Sequence, residues 1–259
     1  MKREYQKNSL LIFLLLTTFL LVLLLIKEII PEPKELDKPS TTKTKETLTT
    51  SETSTTTTVT TTITTTEEIK PETSLENISK ETVLATFKDK RALVVGDSFA
   101  EGLSAYKVLE EVNVIWHRGR RISDIDSDIS GINAYNPTYL FLAFGTNDLE
   151  MWGKNIQTFA NIYKEKILYL KSLFPNTQII INLITPSSSS AIEKNPNLSY
   201  YQDYNNKLIE ISNELNIPYI DNSEFLKLKE NPYSTDGIHP KAFFFTYWGK
   251  NMTKYLLEN

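Results

Sequence analysis

Cysteine is absent from the sequence, so disulfides, a thiol nucleophile and a Cys-ligated zinc site are excluded. Histidine is almost absent. His117 and His239 are the two in 259 residues, too few ligands for a His-rich metal centre. An excess of positive charge is also missing. Residues 88–259 hold 18 Lys and Arg against 20 Asp and Glu, a net charge of −2. With no basic footprint, nucleic acid is not an expected partner.

Long apolar runs are scarce too, and one stands out. Residues 10–26, LLIFLLLTTFLLVLLLI, carry no charge and are interrupted only by Thr17 and Thr18. At about 1.5 Å per residue this run spans roughly 25 Å, which Ile29 and Ile30 extend towards the ~30 Å hydrocarbon core. Lys2, Arg3 and Lys7 precede it against one Glu4. The positive-inside rule then keeps residues 1–8 in the cytoplasm and sends everything after residue 30 outside. A cleaved signal peptide is the alternative, but no small-x-small cleavage site follows the run. The reading is therefore a single signal-anchor helix over residues 9–30. Composition then changes: 17 of the 26 residues from 41 to 66 are threonine. Such a segment cannot bury enough apolar surface to offset its ordering entropy. Residues 31–84 are expected to form a disordered extracellular stalk, and residues 85–259 one globular domain.

In the globular part, short apolar runs alternate with amphipathic ones. Residues 92–95, 112–116, 139–144, 178–183 and 218–220 read as strands covered on both faces. Phe159, Tyr163, Ile167, Leu170 and Phe174 recur at helical spacing, with Pro175 as the stop. Tyr204, Leu208, Ile211 and Leu215 do the same, and a last helix is expected from about Pro240 to Leu257. The alternation predicts a three-layer α/β/α sandwich with a parallel sheet of about five strands, flavodoxin-like in plan. In such sheets ligands sit beyond the carboxyl ends of the strands.

Three polar blocks fall at those ends. Gly96-Asp97-Ser98 follows the first strand and opens a helix, whose positive end favours an alkoxide at Ser98. Asp97 or Ser98 could equally serve as a simple helix cap. Position 100 is Ala, so this is not the G-x-S-x-G elbow. Gly145-Thr146-Asn147-Asp148 closes the third strand, where the Asn147 amide could meet a developing oxyanion or merely close a polar turn. Asp236-Gly237-Ile238-His239 lies near the end of the chain. A carboxylate three residues before an imidazole can hold its Nδ1 and leave Nε2 as a base.

Taken together and in this order, the blocks resemble the SGNH (GDSL-type) hydrolase superfamily over about residues 88–257. Tyr204-Asn205 and the Asp221 that ends the fifth strand add to the likeness. The resemblance implies the SGNH hydrolase fold and a serine esterase needing no cofactor. Ser98 would be nucleophile, His239 base and Asp236 its orienting acid. The oxyanion hole would combine the Ser98 N–H, Asn147 and a backbone donor after the second strand. That stretch, His117-Arg118-Gly119-Arg120-Arg121-Ile122-Ser123, departs from the family pattern, and either Gly119 or Ile122 fits the donor position.

Substrate contacts are assigned to Asp97, Arg118, Arg121, Asp148 and Trp152. The cations of the second block could hold an anionic or sugar-rich substrate, or form a solvated loop balanced by Asp124, Asp126 and Asp128. Trp152 could stack on a sugar ring or belong to the packing. An extracellular location points to an O-acyl group, O-acetyl above all, on a cell-envelope carbohydrate. An O-acetyltransferase and a non-catalytic glycan-binding domain are the other readings.

Overall fold

The computed structural model describes residues 74–259. The expected cytoplasmic segment 1–8, the anchor 9–30 and the stalk as far as residue 73 lie outside the described residues. Among the described residues no helix is long and apolar enough to cross a membrane.

Five strands form one parallel sheet: β1 (Ala92–Gly96), β2 (Val114–Trp116), β3 (Tyr139–Ala143), β4 (Gln178–Asn182) and β5 (Tyr219–Ile220). Their order is β2-β1-β3-β4-β5. The α-helices of the described residues are α1 (Lys80–Asp89), α2 (Ser98–Ala105), α3 (Ile129–Tyr135), α4 (Thr146–Trp152), α5 (Ile156–Leu173), α6 (Ser189–Lys194), α7 (Tyr201–Leu215) and α8 (Ala242–Glu258).

The strands read as unbroken apolar runs because helices cover both sides of the sheet. Successive side chains point to opposite faces, so each strand feeds two cores. Val94 pairs with Phe141 in the β1–β3 register. Both face a core built with Phe87 of α1, Leu103 of α2 and Phe244 and Met252 of α8. Leu93, Leu140, Leu142 and Ile181 face the other way, against Phe159, Tyr163 and Ile167 of α5 and Tyr204 and Leu208 of α7. The expected three-layer α/β/α architecture is therefore the observed one. The chain leaves β1 for β2 on one side and returns to β3 on the other. This reversal opens a crevice beyond the carboxyl ends of β1 and β3.

The structure corrects three boundaries. The stalk was expected to reach residue 84, but residues 74–84 belong to the folded domain. Ser79 caps α1, its hydroxyl accepting the Thr82 N–H at 3.1 Å, and Ile78 and Val83 are each only 2% exposed. Burying two such side chains stabilises by about 1.5–3 kcal/mol each. The second strand begins at Val114 rather than 112, because residues 111–113 form a 3-10 turn. Asn113 there donates its amide to the Ala92 carbonyl at 3.0 Å. Finally, Pro240 does not enter the last helix. It pairs with Tyr233 in an isolated antiparallel bridge, held by Lys241 N–H donating to Pro232 O and Ser234 N–H to His239 O, both at 2.8 Å.

Candidate active site

β1 runs straight into α2, and the joint is Asp97. Its Oδ1 accepts the Phe99 N–H at 2.9 Å, capping α2 and leaving Ser98 as the first helical residue. The backbone N–H groups of a helix's first turn have no partner within the helix. Apart from the capped Phe99 N–H, those of α2 therefore point beyond the sheet, beside the Ser98 hydroxyl. Asp97 itself is 1% exposed. Burial pushes its carboxyl up to about 6, against the lowering effects of the Phe99 N–H, the Asn147 amide and the His239 charge.

The turn before α8 presents His239. Asp236 folds the turn upon itself, its Oδ1 accepting the N–H of Ile238 at 2.8 Å and of His239 at 3.0 Å. Gly237 makes this possible at φ +73°, where a side chain would also meet Ser188 Oγ at 2.2 Å. Asp236 Oδ2 lies 2.7 Å from His239 Nδ1, and His239 Nε2 lies 2.8 Å from Ser98 Oγ. Partial burial raises the Asp236 carboxyl, but the hydrogen bonds from His239 and the two backbone N–H groups outweigh it and hold the group below its usual value. An ionised carboxylate only accepts, so Nδ1 carries the proton and the Nε2 lone pair faces the serine hydroxyl. The Phe99 ring, 5.1 Å from the imidazole centroid, supports His239 from the helix side. Three side chains up to 141 positions apart thus form one hydrogen-bonded line.

The third block enters from β3. Gly145, at φ +141°, turns the chain into α4, and a Cβ there would lie 2.4 Å from Ile184. Asn147 follows, and its Nδ2 donates to Asp97 Oδ2 at 2.8 Å and to Arg120 O at 3.1 Å. The second block wraps around the same point. Its Ile122 N–H donates to Asp148 Oδ2 at 3.2 Å, so of the two candidate backbone donors Ile122 is already committed. Gly119 stands at an exposed turn with φ +76° and nothing within 4 Å of where its Cβ would be.

The substrate contacts expected from sequence divide sharply. Asp148 is fully buried, and burial, with Ile122 N–H pulling the other way, pushes it up to about 7. Both Asp97 and Asp148 are buried and hold the loops that surround Ser98. Trp152 is half-buried and packs against the α5–α7 core with its indole N–H buried. Arg121 turns to Asp124 at 3.6 Å. Arg118 alone reaches the cavity of about 170 Å³ onto which Ser98 and His239 open.

Glu101 is the residue sequence reasoning missed. It lines the same cavity and grips Arg118 with two hydrogen bonds of 2.5 and 2.6 Å. The signal was present: Ser98, Glu101, Gly102 and Ala105 are spaced i, i+3, i+4 and i+7, one face of a helix. Tyr204 and Asn205 turn out to be structural, Asn205 clamping both backbone groups of Ile184 at 2.8 and 2.9 Å. Asp221 accepts the Ser223 N–H at 2.8 Å in a similar local role.

This arrangement can deliver a proton from a serine hydroxyl to an oriented imidazole at a helix N-terminus, which is acyl-transfer chemistry. Residues 94–243 match the GDSL-like Lipase/Acylhydrolase family. The chain belongs to this family. It is accordingly an acyl ester hydrolase. Among solved structures, it is similar to a GDSL-like lipase from Bacteroides thetaiotaomicron VPI-5482, at 17% identity and a TM-score of 0.54 over 71% of this chain and 97% of that one. A putative acylhydrolase from Bacteroides fragilis NCTC 9343 is comparable, at 15% identity and a TM-score of 0.53 over 65% and 87%. At such identities these likenesses bear on the fold alone. No curated protein matches the chain.

Proposed function

We propose that the chain removes O-acyl groups, in particular O-acetyl, from a carbohydrate of the cell envelope through an acyl-enzyme intermediate on Ser98. The line Ser98 Oγ–His239 Nε2 at 2.8 Å and His239 Nδ1–Asp236 at 2.7 Å, opening onto a cavity, is the observation that carries this reading. As Ser98 Oγ attacks the ester carbonyl, His239 takes its proton. Asp236 keeps the imidazole oriented and stabilises its charged form. The tetrahedral oxyanion is met by the Ser98 backbone N–H and the Asn147 side-chain amide. Since Asn147 Nδ2 already donates to Arg120 O, the oxyanion competes with that carbonyl, and the second-block loop adjusts to make room. His239 then returns the proton to the leaving alkoxide, and water attacks the acyl-enzyme in a second cycle.

The envelope substrate rests on the sequence of residues 1–66: an anchor over 9–30 and a Thr-rich stalk would hold the domain outside the membrane. Release of p-nitrophenol from p-nitrophenyl acetate by the full chain, wild type beside Ser98→Ala, tests the chemistry. Loss of turnover in the variant supports the serine mechanism; equal rates in both overturn it. Acetate released from O-acetylated wall polymer, with and without added sugar acceptors, then tests the substrate and separates hydrolysis from transfer.

A further inference from the structure

A second cavity, of about 100 Å³, adjoins the one at Ser98, and Tyr106 lines both. Val83 and Val108 contribute to its walls, and Lys80, Lys107 and Lys250 surround it together with Thr246. No Asp or Glu lines it. The three lysines come from three separate segments: the first residue of α1, the turn after α2, and the middle of α8.

Their electrostatics set them apart. Lys164, Lys166, Lys207 and Lys227 each pair with a carboxylate, whereas none of the cavity lysines joins an ion pair among the described residues. Lys107 stands just beyond the C-terminus of α2, where a cation suits the helix dipole. Lys80 is at the N-terminus of α1, where a cation is disfavoured; the neighbouring exposed Glu81 turns to Ser79 and feels the Lys80 charge without forming an ion pair with it. Lys250 is half-buried and lies 6.0 Å over the Tyr247 ring. Three like charges brought to one concavity repel each other unless an anion is shared between them.

We propose that this cavity binds a phosphate group carried by the acylated polymer whose ester lies at Ser98. The link to the polymer rests on the proposed function; the anion site itself does not. Tyr106, 49% exposed and packed 5.2 Å from the Phe245 ring, divides the two cavities. A chain laid across it presents its ester to Ser98 and its anionic group to the lysines.

Equilibrium dialysis of the full chain against radiolabelled inorganic phosphate, at fixed ionic strength, measures the site directly. Saturable binding is expected, weakened about 10-fold by the combined Lys80→Gln, Lys107→Gln and Lys250→Gln variant. Lys88→Gln, on α1 but outside the cavity, should leave it unchanged. Soluble poly(glycerol phosphate) should compete with p-nitrophenyl acetate turnover in the wild type, and about 10-fold less well in the triple variant. The uninhibited rate should be the same in both. Phosphate binding that the triple substitution leaves intact overturns the site. Phosphate binding without competition by the polymer leaves a site for free phosphate and overturns the polymer. Failure of esterase turnover would sink the proposed function, yet the dialysis would still read the anion site.

Discussion

Asp148→Asn should stabilise the protein at alkaline pH and do almost nothing in acid. Asp148 has no exposed surface, one oxygen receives the Ile122 N–H, and the other is buried without a partner. Burial lifts its carboxyl from 3.8 to about 7. The folded state therefore holds a proton that the unfolded chain releases above pH 4, and stability falls as pH rises from about 4 to 7. Three pKa units at about 1.4 kcal/mol each amount to a penalty of about 4 kcal/mol at pH 8. Near pH 4 the same linkage leaves under about 1 kcal/mol. Asparagine is neutral at every pH and keeps a carbonyl to accept the Ile122 N–H. The variant should thus gain about 2–4 kcal/mol at pH 8, or very roughly 5–12 °C in Tm for a domain of this size, and little at pH 4. Asp97, raised to about 6, adds a slope of its own in both proteins, somewhat shallower in the variant because the two carboxylates repel. Thermal melts of the full chain at pH 4, 6 and 8 read this out. A Tm difference between wild type and variant that does not change with pH would refute the buried, protonated Asp148.

Other consequences can be checked alongside. Asp236→Asn should lower kcat on p-nitrophenyl acetate by about 10²–10⁴-fold with little change in Tm, because it releases the tautomer of His239; a loss under threefold would mean Asp236 does not orient the base. A chain beginning at residue 85 should be about 3–6 kcal/mol less stable by urea unfolding than one beginning at residue 74, through loss of Ile78 and Val83. Equal midpoints would restore the stalk boundary expected from sequence. Gly102→Ala places a Cβ 2.2 Å from the Phe245 ring and should cost about 1–3 kcal/mol. It should also shift KM, since both residues line the Ser98 cavity; unchanged melting and KM would show that the wall yields.

Much of this protein was legible along the chain because its signals are local. Strands buried on both faces must be apolar throughout, and helices between them must carry an apolar stripe, so the layered parallel sheet follows from periodicity. The Asp236–His239 contact spans three residues and one glycine turn, and Gly96-Asp97-Ser98 is a strand end, a cap and a helix start in sequence. The end of the stalk was misjudged because the fold of residues 74–84 rests on Ile78 and Val83 being covered by the domain. No composition count shows that cover.

What only the tertiary structure decided are pairings between distant segments and the burial they bring. Asp97 and Asp148 read as substrate contacts, with a helix cap as the other reading of Asp97, but packing of β1, β3 and the second block encloses them and makes them supports. Whether Gly119 or Ile122 donates depends on the Ile122–Asp148 bond across 26 positions. Arg118 meets Glu101 across 17 positions, and three lysines meet at one cavity from two helices and a turn. A carboxylate's role is set by the dielectric and the donors around it, and those belong to the fold rather than to the residue.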